Sequence, residues 1–147
     1  MEIQFDGEKP VLPGLNDQAK FVALARAKEI YQAIEALCQK PSIDLPLLLN
    51  GEPVNESDYP TAHLLAKDKG YEPPHPDLVK AYFDQLKAYD SQYTEAGIAK
   101  LLGLSNGRAI RGFKSGDRPV PFAVWRRFLV ATGRAPIDMP DMVGFFK

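Results

Sequence analysis

The sequence predicts an all-α, mainly helical protein. Three observations carry that expectation. Apolar residues recur at helical spacing from Asn16 to about Gln39, with no Gly or Pro between them. Leu78, Val79, Tyr82, Phe83, Leu86 and Tyr89 form a second stripe of the same period. Residues 94–115 then read as two short helices around a turn at Gly103. With 45% apolar residues in 147, the chain belongs with globular proteins and has the length of one domain, or of a small domain with an appendage.

In chain order, Gly7, Pro10, Pro13 and Gly14 mark residues 1–15 as an irregular arm, or one with a short strand at Ile3–Phe5. Asn16 is the expected N-cap of the first helix and Asp17 suits its first turn. Phe21, Leu24, Ala27, Ile30, Tyr31, Ile34, Leu37 and Cys38 give its apolar spacing, with Cys38 read as a buried small hydrophobe, and Pro41 ends it. Four prolines between 41 and 60 forbid a long helix there. Leu45–Leu49 followed by Asn50-Gly51 fits either a short helix or a strand entering a turn. Thr61 is placed to cap a short helix running to about Lys69, closed by Gly70. Pro73-Pro74-His75-Pro76 reads as a stiff linker, and the next helix is expected to begin near Asp77. The expected layout is therefore an N-terminal helical region at 1–72, a linker at 73–76, a C-terminal module at 77–135 and a tail at 136–147.

Charge is distributed unevenly along this layout. The formal net charge is -1, yet residues 1–92 carry -6 and residues 93–135 carry +6, the latter with only Glu95 and Asp117 as acids. That reversal suits a module that binds a polyanion, joined to an acidic carrier. The basic segment also holds the most informative string. Thr94 is an N-cap with Glu95 in the first turn, and Ile98, Leu101 and Leu102 supply an apolar face. Gly103 is suited to ending that helix, Leu104 to burial at the turn, and Ser105 or Asn106 to capping a second helix. Ile110 and Phe113 point inward from it, and Ser115-Gly116 ends it.

These residues carry a family resemblance. Ile98-Ala99, Leu102-Gly103-Leu104-Ser105, Ile110, Phe113 and Ser115-Gly116-Asp117-Arg118-Pro119, in that order and spacing, resemble the lambda-repressor-like, Cro/XRE-type helix-turn-helix regulators. The likeness covers residues 77–133, and Val120–Leu129 is similar to the helix that follows in a subset of the family. One residue more than the family's usual spacing separates Gly103 from Ile110, so an insertion sits around Asn106-Gly107. The resemblance implies a C-terminal helix-turn-helix bundle with an N-terminal helical extension. It also implies a sequence-specific transcriptional regulator that binds double-stranded DNA, a repressor acting as a homodimer by occluding its operator.

A recognition helix directs its N-terminal part toward base edges in the major groove. That assigns bases to Asn106, Arg108 and Arg111, where Asn pairs bidentately with adenine and Arg with guanine. Lys114 and Arg118 fall past the helix end and suit phosphates, as does Thr94. With Ser105, these seven form the candidate DNA-binding set, and Gly107 is expected to let the backbone approach DNA closely. Arg126 and Arg127 diverge by about 100° and cannot both face one groove, so neither belongs to the set. Trp125, Phe122, Phe128 and Leu129 have the spacing of a core stripe.

Other classes fare worse. His63 and His75 lack a Cys or a second His at i+3 or i+4, Cys38 is a lone cysteine, and no Gly-rich phosphate loop follows a strand. No catalytic residue, metal or cofactor is expected. No membrane span, no secretory signal and a cytoplasmic location are expected from the absence of a long apolar run and of a basic, then apolar, N-terminus. The alternative is a protein-interaction module, or an antitoxin-like partner protein, that keeps this scaffold and docks a protein through its acidic N-terminal region. The first helix is long enough to serve as a dimer arm and equally suited to packing on the C-terminal helices. The tail Met139–Lys147 suits docking on a partner subunit or folding back.

Overall fold

A computed structural model describes residues 5–6, 9–10, 14–40, 42–137 and 143–146. Two compact units emerge: Asp44–Asp138, and the two chain ends, Met1–Ile43 with Met139–Lys147. Helices dominate the described residues, with two minimal hairpins beside them. No described helix is long and apolar enough to cross a membrane.

In the unit of the chain ends, β1 (Phe5–Asp6) pairs antiparallel with β2 (Lys9–Pro10), and α1 spans Leu15–Cys38. The strand anticipated from Ile3 has its first residues outside the described set. Gly14, not Asn16, occupies the N-cap, and no side chain caps the helix. None of the residues of α1 is buried, and Cys38 is exposed rather than packed as a small hydrophobe. Of the tail, Val143 and Phe146 are exposed, and Met139–Met142 lie outside the described residues.

The larger unit opens with a hairpin, β3 (Leu48–Leu49) against β4 (Glu52–Pro53). Its two-residue turn has positive φ at both Asn50 and Gly51, the geometry that matches strand twist and that Asn-Gly adopts readily. Of the two readings left open for 45–51, the strand is the one adopted. Single tight turns follow at 56–58, 62–64 and 67–69. The continuous helix expected from Thr61 to Lys69 is thus broken in two, because Leu65 and Ala66 are extended, while Gly70 closes the second turn at φ 95°.

Helix α2 (Pro76–Tyr89) starts one residue early: Pro76 holds N1, where its missing N–H costs nothing, and His75 caps it by accepting from the Asp77 N–H. Three helices complete the unit, α3 (Glu95–Leu101), α4 (Arg108–Ser115) and α5 (Phe122–Ala131). Leu78, Val79, Tyr82 and Phe83 of α2 meet Ile98, Ala99 and Leu102, Ile110 and Phe113, and Trp125, Phe128 and Leu129 in one core. Leu86 is only partly buried, and Tyr89, at the end of the expected stripe, is exposed. The Trp125 stripe is core as its spacing predicts, with Phe122 half-buried edge-on against Tyr71.

The Pro73–Pro76 stretch does not separate domains. The compact unit begins at Asp44, and side chains bind 44–72 to the helices. The Trp125 indole N–H donates to Nδ1 of His63 at 3.1 Å, the Tyr71 hydroxyl donates to the Val120 carbonyl, and the Gln85 amide donates to the Leu45 carbonyl. Tyr82 bonds Glu56 through its hydroxyl, stacks on Trp125 with planes 2° apart, and receives the Arg134 guanidinium 4.1 Å above its ring. Burial and the Glu56 bond raise the Tyr82 hydroxyl far above the usual phenol range, and burial pushes that of Tyr71 up to about 12.

Burial holds the pKa of His63 below 6.5, against the opposing pull of Glu56. Protonation of Nδ1 would also remove the acceptor that Trp125 uses. The unfolded chain therefore takes up this proton first as pH falls, so His63 contributes stability fully above about pH 6.5 and loses it as pH falls through the lower folded value. Urea midpoints are expected to drop between about pH 7 and pH 5, before the carboxylates titrate. In a His63→Phe variant that segment of the profile is expected to flatten, with a loss of about 1–3 kcal/mol at neutral pH from the unpaired indole N–H. An unchanged slope in the variant would rule out His63 as its source.

Candidate nucleic-acid interface

Helices α3 and α4 are set by short-range chemistry. The Thr94 hydroxyl caps α3 by accepting from the Gly97 N–H at 3.2 Å. Gly97 lies so close to the Gln92 carbonyl that a Cβ there would sit 2.1 Å from its oxygen, which explains a glycine inside a seven-residue helix. At the other end Gly103 takes φ 73°, and Leu104 N–H returns to the Ala99 carbonyl at 2.8 Å. Leu104 is half-buried rather than buried.

The additional residue between the helices is absorbed at the start of α4, which begins at Arg108. Gly107 is buried against the first turn of α3, where a Cβ would come within 2.8 Å of the Glu95 Cβ and 3.0 Å of the Ala96 nitrogen. Its small size thus serves helix–helix approach, in place of the expected approach to DNA. Gly107, not Ser105 or Asn106, occupies the N-cap of α4; Asn106 accepts from the Arg108 N–H at 3.0 Å in the turn just before it, with Ser105 beside it and exposed. An Asn106 oxygen already holding a backbone donor is a poorer partner for bidentate adenine pairing than the sequence suggests.

Around α4, Ile110 and Phe113 face the core, and Arg108, Arg111 and Gly112 share the outer arc. Arg118 folds back across this arc: its side chain passes 3.2–3.4 Å from the position a Cβ on Gly112 would take. Arg108, Arg111 and Arg118 are exposed, and among the described residues none has an ion-pair partner. Lys114 is different. It points inward and pairs with Asp84 on α2 at 2.7 Å and with Glu95 on α3 at 3.5 Å. Burial works against the Asp84 charge, but Lys114 and Lys80 outweigh it and hold the carboxyl below its usual range. Glu95 is lowered by its backbone hydrogen bond and by Lys114. Lys114 is thus engaged in tying three helices together, and the phosphate contact assigned to it would break that network.

Arg108 and Arg111 thus stand on the outside of one helix about 12 Å long, a length comparable to the width of the DNA major groove, and the Arg118 side chain lies over Gly112 on the same side. Comparison of the chain with protein-family models, curated proteins and solved structures returned no match. One further exposed cation lies near the turn between these helices. Arg127 of α5 is exposed, and its guanidinium lies 3.4 Å from the position a Cβ on Gly103 would take, over the α3–α4 turn. Arg126 diverges as the spacing requires, donating to the Leu64 carbonyl. That divergence was legible in the sequence, but which of the two arginines reached the turn was not.

Elsewhere, His63 and His75 line one cleft with Glu72. Both Nδ1 atoms already accept hydrogen bonds, and no metal-holding group of three ligand residues occurs among the described residues.

The glycines of α4 separate close packing from an open face. Gly107→Ala is expected to cost about 1–3 kcal/mol, since its Cβ meets α3. Gly112→Ala meets only the movable Arg118 side chain and is expected to be neutral or up to about 1 kcal/mol stabilising. Urea unfolding followed through Trp125, the single tryptophan, compares them. Lys114→Met is expected to lose about 1 kcal/mol at neutral pH. That loss should shrink as pH falls through the lowered range in which Asp84 and Glu95 protonate, since Lys114 then has no anion left to pair with.

Proposed function

We propose that the chain is a sequence-specific DNA-binding regulator of the lambda-repressor-like helix-turn-helix kind, with α3 and α4 as the motif. It acts as a dimer, and represses by occupying its operator. The observation that carries this reading is the outer face of α4, where Arg108, Arg111 and Arg118 stand exposed and unpaired around a core-facing Ile110 and Phe113. Unneutralised guanidiniums on a short exposed helix repel one another, so an anionic partner stabilises them, and their planar fork suits phosphate and guanine O6/N7 alike.

In this reading Arg108 and Arg111 read base edges, and Arg118 and the Thr94 end of α3 meet phosphates. Asn106 and Ser105 serve the helix start, with contact to DNA secondary to that role. Lys114 acts through stability. One eight-residue helix offers too few base contacts for an operator, and two copies on half-sites about 34 Å apart supply the rest.

The test begins with genomic fragments retained by the purified protein near physiological salt, followed by fluorescence anisotropy on the site recovered. Arg108→Ala and Arg111→Ala are each expected to cost about 1–3 kcal/mol on that site and to relax base preference locally. Arg118→Ala is expected to weaken all sequences alike and to reduce the salt slope by about 1. Equal losses on cognate and random DNA for all three would overturn the division of roles. No retained fragment would overturn the function, leaving the protein-interaction alternative.

A further inference from the structure

The buried ring of His63 has a second nitrogen with nothing to bond. The residue is only 6% exposed. Its Nδ1 accepts from the Trp125 indole N–H, which places the proton of the neutral imidazole on Nε2. Among the described residues no group accepts from Nε2, and the atom is not sealed from solvent either. A buried donor normally finds an acceptor, so an open and unused one calls for a partner from outside. His63 lines a cleft of about 140 Å³ with Pro60, Ala62, Glu72, Pro73 and His75.

The cleft's other groups narrow what that partner is. The Glu72 carboxylate is exposed and has neither an ion pair nor a hydrogen bond among the described residues. Glu56 also acts on His63 electrostatically, but its carboxylate is bonded to Tyr82 and does not line the cleft. Two nearby carboxylates favour a cation, and the His63 N–H requires an oxygen. His75 accepts from the Asp77 N–H through Nδ1, so its neutral ring also carries the proton on Nε2. Pro60, Ala62 and Pro73 supply apolar walls without side-chain donors or acceptors. The volume has room for about six non-hydrogen atoms.

We propose that this cleft binds a small ammonium compound carrying an oxygen acceptor three bonds from its nitrogen, the chemistry shared by an amino alcohol and a glycine-sized amino acid. The oxygen accepts from the His63 Nε2–H, and the ammonium pairs with Glu72. An acceptor on Nε2–H strengthens Nδ1 as the acceptor for Trp125. The ligand thereby tightens the bond that joins residues 44–72 to α5, and the single tryptophan reports its arrival from one bond away. None of this depends on DNA binding.

The test uses the full chain without DNA, at constant pH and matched chloride. Ethanolamine hydrochloride at about 10 mM is expected to change Trp125 emission saturably and to raise the thermal midpoint by about 2–5 °C. Glycine is the second arm: a stronger response to one of the two identifies the source as amino alcohol or amino acid. Propylamine, which lacks the oxygen, and ethylene glycol, which lacks the ammonium, are expected to do neither. Glu72→Gln, at an exposed position, is expected to weaken binding about tenfold or more with the starting midpoint unchanged. His63→Phe is expected to remove the midpoint shift, and Glu72→Gln keeps the question decidable should that variant fold poorly. No response to either probe would overturn the proposal and leave the cleft to water. So would an equal response to propylamine or ethylene glycol, or an affinity indifferent to Glu72→Gln.

Discussion

The hydrogen bond from the Trp125 indole to His63 sits where two dissimilar parts of the larger unit meet. On one side are four helices of 7 to 14 residues. On the other is a stretch of hairpin and single turns that has almost no regular structure of its own. A bundle of such short helices buries little surface and is marginal alone. The stretch 44–72 thickens it, held by Leu47, Tyr59 and Tyr71 packing against the core and by side-chain hydrogen bonds. His63 offers its acceptor inside the core, and Tyr82 lies flat on Trp125 while its hydroxyl reaches Glu56. Arg134 covers the far side of Tyr82 and bonds Gln85, which in turn holds Leu45. Removing the imidazole would leave a buried N–H without a partner and take away the one hydrogen bond among the described residues that joins the irregular segment to α5 inside the core.

This anchoring frees α4 from structural duty on its outer side. Its inner face is held by Ile110 and Phe113, its start by the Gly107 contact with α3, and its flank by Lys114 between Asp84 and Glu95. Every group needed for positioning thus lies on the inner arc or at the ends. The outer arc keeps Arg108 and Arg111, and the absence of a side chain at Gly112 lets Arg118 lie beside them. A larger residue at 112 would still fold, but it would push that third guanidinium outward.

Local signals were legible in the sequence, and distant partnerships were not. The stripe of α2, the positive-φ glycines at 103 and 116, the Thr94 cap and the inward pair Ile110 and Phe113 depend on neighbours within a few residues, and all could be read in advance. The acceptor for Trp125 lies 62 residues away, and the acid that pairs with Lys114 lies 30 residues away. Nothing in the local pattern of either residue names its partner. Proline density misled at 73–76 for a related reason: stiffness reads the same in a linker and in a strap, and only the bonds to Val120, Leu64 and Trp125 distinguish them. Cys38 was read inward because it continues an apolar stripe, and in the described chain that stripe has no cover.

The boundary at Asp44 also changes what the charge pattern means. The acidic and basic stretches do not correspond to two bodies, since residues 44–138 hold twelve basic and twelve acidic side chains within one unit. That unit is neutral overall, with acids concentrated before residue 93 in the sequence and with Arg108, Arg111 and Arg118 exposed and without an ion-pair partner among the described residues. A body with no net charge exerts little long-range pull on a polyanion, so any steering is modest. On the proposed reading, counterion release would scale with the few arginines placed to reach phosphates, not with the +6 of the segment. Lys114 is spent internally, Arg126 is bonded to the Leu64 carbonyl and Arg134 covers Tyr82, which leaves few cations per copy for a groove. A surface of that size is weak singly, which is why the proposed DNA-binding reading calls for a second copy.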